Sequence, residues 1–222
     1  MSAPADIRCY VIIDPAACAG RDPLMVARAA AAGGATIVQL RHKTDDIPAL
    51  LRLARDMKQA LQSAGVPLLV NDRVDVALAA RADGAHVGQS DLPAAEARRL
   101  LGEKAIIGLS HKTARHIDDS PVQALSYAAI GGIFPTASKQ QEQPPIGLEG
   151  FHRLRQRLRA RAPRLPVVAI SGIKTEHVPR VIAAGADGIA VISAVCAAPD
   201  PEQATRALRQ AVDTALKEHT AP

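Results

Sequence analysis

VPLLVNDRVDVALAARADGAHVGQSDLP, Val66 to Pro93, holds one whole β-α-β unit. Two short apolar runs, Pro67 to Val70 and Gly84 to Gly88, end in polar residues, Asn71-Asp72 and Gln89-Ser90-Asp91, with a helix-patterned segment between them. Strands joined by such a crossover are parallel neighbours, which brings Asp72 and Asp91 side by side at one edge of the sheet. Two adjacent carboxylates at strand C-terminal ends can hold a hard cation such as Mg²⁺, which takes oxygen ligands and bridges to substrate phosphates. An aspartate ahead of a helix is also a common N-cap, so the pair has a purely structural reading in which each caps the helix that follows.

The same alternation runs outward in both directions. On the N-terminal side, Arg8 to Ile13 reads as a strand and Pro23 to Ala32 as an Ala-rich helix closed by Gly33-Gly34. Thr36 to Leu40 is a second strand running into Arg41, His42 and Lys43, and Leu50, Leu51, Ala54, Met57 and Leu61 then mark one buried helix face. On the C-terminal side come a helix from Ala94 to Leu101 ended by Gly102 and a fifth strand from Ala105 to Leu109 reaching Ser110. A helix over Ala114 to Val122 is interrupted by Asp118-Asp119-Ser120-Pro121, and strand six lies within Ala124 to Phe134. The polar stretch Pro135 to Ile146, with three prolines, reads as a surface loop of the kind that covers an active site. Helix Gly147 to Arg161, strand Val167 to Ile170, helix Thr175 to Ala184, strand Gly188 to Ile192 and helix Pro201 to Glu218 complete the pattern.

Eight strand-helix units in 222 residues, about 28 each, predict a closed (β/α)8 TIM barrel, an α/β fold. It is expected to occupy the chain as a single domain, 1–222, with the barrel over roughly residues 8–218. An open doubly wound sheet fits less well, because no G-x-G-x-x-G turn follows the first strand and polar strand ends recur around all the units. A composition of 48% hydrophobic residues with 2% aromatics and no Trp gives a core of Ala, Val, Leu and Ile, suited to a parallel sheet under helices.

The net charge of +5 is compatible with anionic ligands. The one basic run, Arg153 to Arg164, reads as the wet face of a helix, and with no interleaved aromatics to stack bases it argues against nucleic acid. Cys9, Cys18 and Cys196 form no C-x-x-C pair and leave one thiol over in any disulfide scheme, as in a reducing compartment. With no signal-peptide pattern and no apolar run near the ~20 residues that span a membrane, a cytoplasmic protein is expected. Whether it forms a homo-oligomer is open at this level.

Catalysis in this fold is built at the C-terminal strand ends. Those ends supply Gln39, Arg41 and Lys43; Asn71 and Asp72; Asp91; Ser110; Thr136, Ser138 and Lys139; Ser171 and Gly172; Ile192 and Ser193. Cations, two carboxylates for a metal and several neutral donors suit a polyanion such as pyrophosphate. ISGIK (Ile170 to Lys174) and VISAV (Val191 to Val195) sit after strands seven and eight, where this fold commonly holds a phosphate on backbone N–H groups. Two anionic substrates follow. Of the histidines, His86 inside strand four is a core residue or a partner behind the site, while His111 beside Ser110 is placed to touch a ligand. No Ser-His-Asp or Cys-His arrangement stands out.

QLRHK (Gln39 to Lys43), NDRVDVALAARADGAHVGQSDLP (Asn71 to Pro93), GLS (Gly108 to Ser110), IFPTASK (Ile133 to Lys139), GLE (Gly147 to Glu149), AISGI (Ala169 to Ile173) and GADGIAVISA (Gly185 to Ala194) together resemble the thiamine phosphate synthase family, in order, from Tyr10 to about Ala198. That family joins 4-amino-5-hydroxymethyl-2-methylpyrimidine diphosphate to 4-methyl-5-(2-phosphoethyl)thiazole and releases pyrophosphate. The resemblance implies that Gln39, Leu40, Arg41, His42, Lys43, Asn71, Ser110 and Lys139 contact the pyrimidine diphosphate, with Arg41, Lys43, Ser110 and Lys139 catalytic. It implies that Asp72 and Asp91 bind Mg²⁺, and that Thr136, Ala137, Ser138, Gly172, Ile192 and Ser193 bind the thiazole phosphate. It further implies a dissociative mechanism, in which pyrophosphate leaves before the thiazole nitrogen attacks.

The sequence departs from the family pattern at Gly132, usually proline, at Ser138, usually threonine, and at His111-Lys112 after Ser110. The related thiazole tautomerase typically carries a catalytic histidine where this chain has Gly132 and lacks the second metal aspartate. Gly132 cannot act as a base, and Asp91 and Lys139 are present, which favours the synthase. A non-catalytic phosphate-ligand-binding barrel is the other alternative.

Overall fold

The computed structural model describes residues 5–136 and 144–220. Eight parallel strands close into a barrel in chain order: β1 (Cys9–Ile13), β2 (Ile37–Leu40), β3 (Leu68–Asn71), β4 (Gly84–Val87), β5 (Ile106–His111), β6 (Tyr127–Ile130), β7 (Val167–Ile170) and β8 (Gly188–Val191), the last paired back on β1. Around them run α1 (Pro23–Ala32), α2 (Ile47–Gln62), α3 (Val74–Ala79), α4 (Ala94–Leu101), α5 (Ala114–Asp118), α6 (Gly147–Arg161), α7 (Val178–Ala183), α8 (Ser193–Cys196) and α9 (Pro201–Thr220).

The period-2 alternation of each strand splits the apolar residues between two cores. Cys9, Val11, Ile13, Val38, Leu40, Leu68, Val70, Ala85 and Val87 face outward and pack under the helices. Tyr10, Ile12, Ile37, Leu69, Tyr127, Ala129, Val168 and Ala190 fill the barrel interior. Aliphatic side chains make up most of both layers, and Tyr10 and Tyr127 supply the largest buried side chains of the interior.

The end opposite the site is fastened by a fourfold device. The residue just before each even strand accepts a hydrogen bond from an N–H in the first two residues of the preceding odd strand: Thr36 Oγ1 from Cys9 at 3.0 Å, Asp83 Oδ2 from Leu68 at 2.7 Å, Ser126 Oγ from Ile107 at 3.1 Å and Asp187 Oδ2 from Val167 at 2.8 Å. Each of the four returns its own N–H to the carbonyl of the residue it receives from, at 2.7–2.9 Å. Lys58 on α2 and Arg155 on α6 pair with the two aspartates. These reciprocal pairs satisfy strand-end groups that would otherwise be left bare in the layer between sheet and solvent.

The strand order and fold class agree with the sequence pattern. Three local differences have evident causes. The expected helix over Ala114 to Val122 stops at Asp118, because Pro121 cannot supply an N–H and the chain turns into a 3₁₀ segment at Val122–Ala124. The helix from Thr175 opens as a 3₁₀ turn, Thr175–His177, before Pro179 in the first turn of α7. Ile192, expected to end β8, instead caps the short helix α8.

Candidate active site

A cavity of about 530 Å³ opens at the C-terminal ends of the strands. Gln39 and Arg41 from β2, Asn71 from β3, His86 from β4, Ser110 from β5, Pro135 and Thr136 after β6, Ile170 to Glu176 after β7, and Ile192 to Ala194 after β8 line it. Every strand that reaches it does so with an inward-facing residue, so the alternation that builds the core also aims these side chains.

Five charged groups stand on the β1–β4 side. Arg41 is ion-paired with Asp14, both largely buried, and the carboxylate holds the guanidinium against the wall. Lys43 pairs with Asp72 and remains mostly exposed. Neither aspartate of the opening unit caps a helix: Arg73 stands at the N-cap of α3 and Pro93 at that of α4, and neither helix has a side-chain cap. Asp91 Oδ2 instead turns back to accept the Gly88 N–H at 2.7 Å, and its carboxyl lies near enough to Asp72 to feel its charge. Burial first, and then the neighbouring Asp72, raise the Asp91 pKa above its ordinary value. Asp72 has φ +61, a left-handed conformation disfavoured for a residue with a side chain, and this strained residue carries one of the two carboxylates.

The β6–β7 side is tied together by the backbone. Ser171, at φ +98, accepts the Gly132 N–H on its Oγ at 3.0 Å and the Phe134 N–H on its carbonyl at 3.1 Å. Gly132 has φ +81, so it uses both a left-handed backbone and an N–H that proline lacks. Gly172 has φ +65, and a Cβ there would stand 2.3 Å from the Pro135 carbonyl oxygen, so only glycine lets the two loops approach this closely.

Of the residues expected at the site, Gln39, Arg41, Asn71, Ser110, Thr136, Gly172, Ile192 and Ser193 line the cavity. Lys43, Asp72 and Asp91 form a cluster beside it. Leu40 is fully buried in the outer core, so its side chain faces the helices rather than a ligand. His42 is half-buried and lies outside the lining. Ala137, Ser138 and Lys139 fall outside the described residues. His111 corrects an expectation: it is fully buried on the outer side of β5, bonded to Ser120 Oγ at 3.0 Å, and burial pushes its imidazole down to about 4. One step along a strand reverses the face, which is why Ser110 enters the cavity and His111 leaves it. Lys174, the end of the ISGIK stretch, lines the cavity as well, and Glu176 and, through its ion pair with Arg41, Asp14 join the site unforeseen; Asp14 directly follows the first strand, the same strand-end signal that marks Asp72.

The donor set suits a hard divalent cation. Among the described residues no three His, Cys, Asp or Glu converge on one point, and a full protein cage is therefore absent there. Mg²⁺ does not require one: it is commonly held by one or two carboxylates, waters and substrate phosphates, and two abutting carboxylates whose repulsion already raises one pKa fit that pattern.

A family model described as thiamine monophosphate synthase matches residues 9–195. The thiamine-phosphate synthase of Agrobacterium fabrum is 48% identical over 213 residues, covering 96% of each chain. That of Moorella thermoacetica is 44% identical over 206 residues, covering 93% of this chain and 96% of its own. The solved structure of a thiamine phosphate pyrophosphorylase from Pyrococcus furiosus superposes with a TM-score of 0.83 at 33% identity, covering 96% of this chain and 98% of that one. A 3-hexulose-6-phosphate synthase, at 19% identity and a TM-score of 0.65, shares the fold alone.

Proposed function

The chain belongs to the thiamine monophosphate synthase family, transferases that make thiamine phosphate, and we propose that its barrel mouth runs the reaction by Mg²⁺-assisted departure of pyrophosphate. The observation that carries this reading is the facing pair Asp72 and Asp91 beside Lys43 and Arg41, at the rim of a cavity able to take two small phosphorylated molecules. The pyrimidine diphosphate sits on the β2–β5 side, against Gln39, Arg41, Lys43, Asn71 and Ser110, and the family motif adds Lys139 to its contacts. The thiazole phosphate sits on the β6–β8 side, against Thr136, Ala137, Ser138, Gly172, Ile192 and Ser193.

Asp72 and Asp91 would hold Mg²⁺, which when bound neutralises the charge on the departing diphosphate. Arg41, kept in place by Asp14, and Lys43 supply fixed positive charge to the same oxygens, and Ser110 a hydroxyl. The C–O bond at the pyrimidine methylene breaks with its electron pair going to pyrophosphate, and the thiazole nitrogen supplies the pair for the new C–N bond. No residue has to take a proton from either reactant, in keeping with a cavity whose His86 is engaged at both ring nitrogens. Holding the two substrates against opposite walls supplies orientation.

The test is to give the purified protein both substrates, then each alone, and follow thiamine phosphate and pyrophosphate. Joint, stoichiometric appearance only with both supports the synthase. Isomerisation of a thiazole substrate without pyrophosphate release would put the chain with the tautomerases. We place the enzyme in the cytoplasm on the strength of three buried free thiols, to be checked by cell fractionation. No helix among the described residues is long and apolar enough to cross a membrane.

A further inference from the structure

Behind the cavity a hydrogen-bonded chain crosses the barrel interior from Gln39 to Ser110. Gln39 Nε2 donates to the Tyr10 hydroxyl, and the Tyr10 and Tyr127 hydroxyl oxygens lie 2.8 Å apart. The Tyr127 hydroxyl is 2.8 Å from His86 Nδ1, and His86 Nε2 is 2.8 Å from Ser110 Oγ. These are the only two tyrosines of the sequence, 1% and 0% exposed. Gly108 makes room for them: a Cβ there would stand 2.2 Å from the Tyr127 ring and 2.6 Å from His86 Nδ1.

A hydroxyl has one hydrogen, so the polarity of one link sets the next. With Gln39 donating to Tyr10, the Tyr10 hydrogen goes to Tyr127 and the Tyr127 hydrogen to His86 Nδ1. A neutral imidazole that accepts at Nδ1 carries its hydrogen on Nε2, and that hydrogen goes to Ser110 Oγ. Reversing the tyrosine link would leave the Tyr10 hydrogen buried with no other acceptor among the described residues. Ser110 Oγ, already an acceptor, has its own hydrogen left for the cavity.

We infer that Tyr10, Tyr127 and His86 are positioning residues that fix Ser110 as a hydrogen-bond donor toward the diphosphate and turn the Gln39 carbonyl oxygen toward the pyrimidine. This rests on the synthase reading for what fills the cavity. Unconstrained, Ser110 could spend its hydrogen on His86 Nε2 and present only lone pairs to an anion; the chain forbids that orientation. Charge growing on the leaving oxygens then meets a donor that needs no reorientation.

Nitrogen-15 spectra of histidine-labelled protein without substrates read the polarity directly, with His86→Gln identifying the resonance. The expected state is the Nε2–H tautomer; an Nδ1–H tautomer overturns the inference whatever the protein catalyses. In kinetics, Tyr127→Phe should lower kcat about tenfold with KM for the thiazole phosphate unchanged, since it removes the donor that specifies Nδ1. Tyr10→Phe leaves the Tyr127–His86 link and should cost about threefold or less. His86→Gln, which retains an amide donor, should recover activity lost in His86→Leu. Equal losses in both tyrosine variants, following a lowered melting temperature, would reduce the chain to packing and refute the proposal. A wild-type protein that makes no thiamine phosphate would defeat the synthase reading instead, and the tautomer would still be decided.

Discussion

Asp91→Asn separates the metal-site reading of Asp91 from any structural one. Two ionised carboxylates about 4 Å apart repel by about 1 kcal/mol at the dielectric of water and several-fold more when buried. Asp91 is part-exposed and Lys43 already partners Asp72, so the lower figure applies. The asparagine oxygen can still accept the Gly88 N–H now received at 2.7 Å, and the amide can donate to Asp72. Without metal, the variant should therefore be as stable as the parent or more stable by up to about 1 kcal/mol, a melting temperature raised by roughly 0–4 °C for a chain of this size. The sign of the pH dependence follows from the raised Asp91 pKa. Between the ordinary carboxylate value and that raised value the folded protein holds more proton than the unfolded one, so the wild type loses stability as pH rises through the window and the variant does not. With metal the order reverses: Mg²⁺ plus the pyrimidine diphosphate should raise the wild-type melting temperature and leave the variant's unmoved, and kcat/KM should fall by at least about a hundredfold. Differential scanning fluorimetry in EDTA and in Mg²⁺, over a pH series, measures all of this. A variant that melts several degrees lower in EDTA yet still responds to Mg²⁺ would show that Asp91 is a structural residue and refute the reasoning.

Asp14→Asn should weaken the hold on Arg41 and lower kcat/KM for the pyrimidine diphosphate about tenfold while sparing affinity for the thiazole phosphate, read by steady-state kinetics and calorimetry. Gly172→Ala puts a methyl group against the Pro135 carbonyl at a left-handed position, and should impair thiazole phosphate binding before pyrimidine diphosphate binding; equal loss of both would contradict the two-wall assignment. Asp83→Ala removes the acceptor for the Leu68 N–H and the partner of Lys58 far from the cavity, and should cost about 1–3 kcal/mol in urea unfolding with kcat unchanged. Lys139→Ala should slow the reaction by roughly 1.5–3 kcal/mol in barrier height, about ten- to a hundredfold, if it contacts the leaving group as the family motif implies.

The barrel was readable because each of its units repeats one short pattern, an apolar run, a polar strand end and a helix with a single buried stripe. Side-chain facing was less so. Strand-end position picks out Ser110 and His111 equally, and only the phase of β5 sends one into the cavity and the other under the helices. Leu40 illustrates the same limit within QLRHK, where Gln39 and Arg41 point inward and Leu40 between them does not. The pairing of Asp14 with Arg41 joins residues 27 apart in sequence, and the Tyr10–Tyr127 contact residues 117 apart. Contacts of that range are set by barrel closure, which no local pattern encodes. That neither Asp72 nor Asp91 caps the following helix likewise could not be read from the sequence, because it depends on where the chain turns after each strand.

The most direct test of the account is a single-turnover reaction of the wild-type protein with both substrates, quenched at intervals and assayed for thiamine phosphate by the fluorescence of its oxidised form, in Mg²⁺ and in EDTA. The account predicts rapid product formation with Mg²⁺, a rate lower by orders of magnitude in EDTA, and recovery when Mg²⁺ is restored. Product formed equally fast in EDTA would contradict it, and would leave the facing aspartates without the role assigned to them.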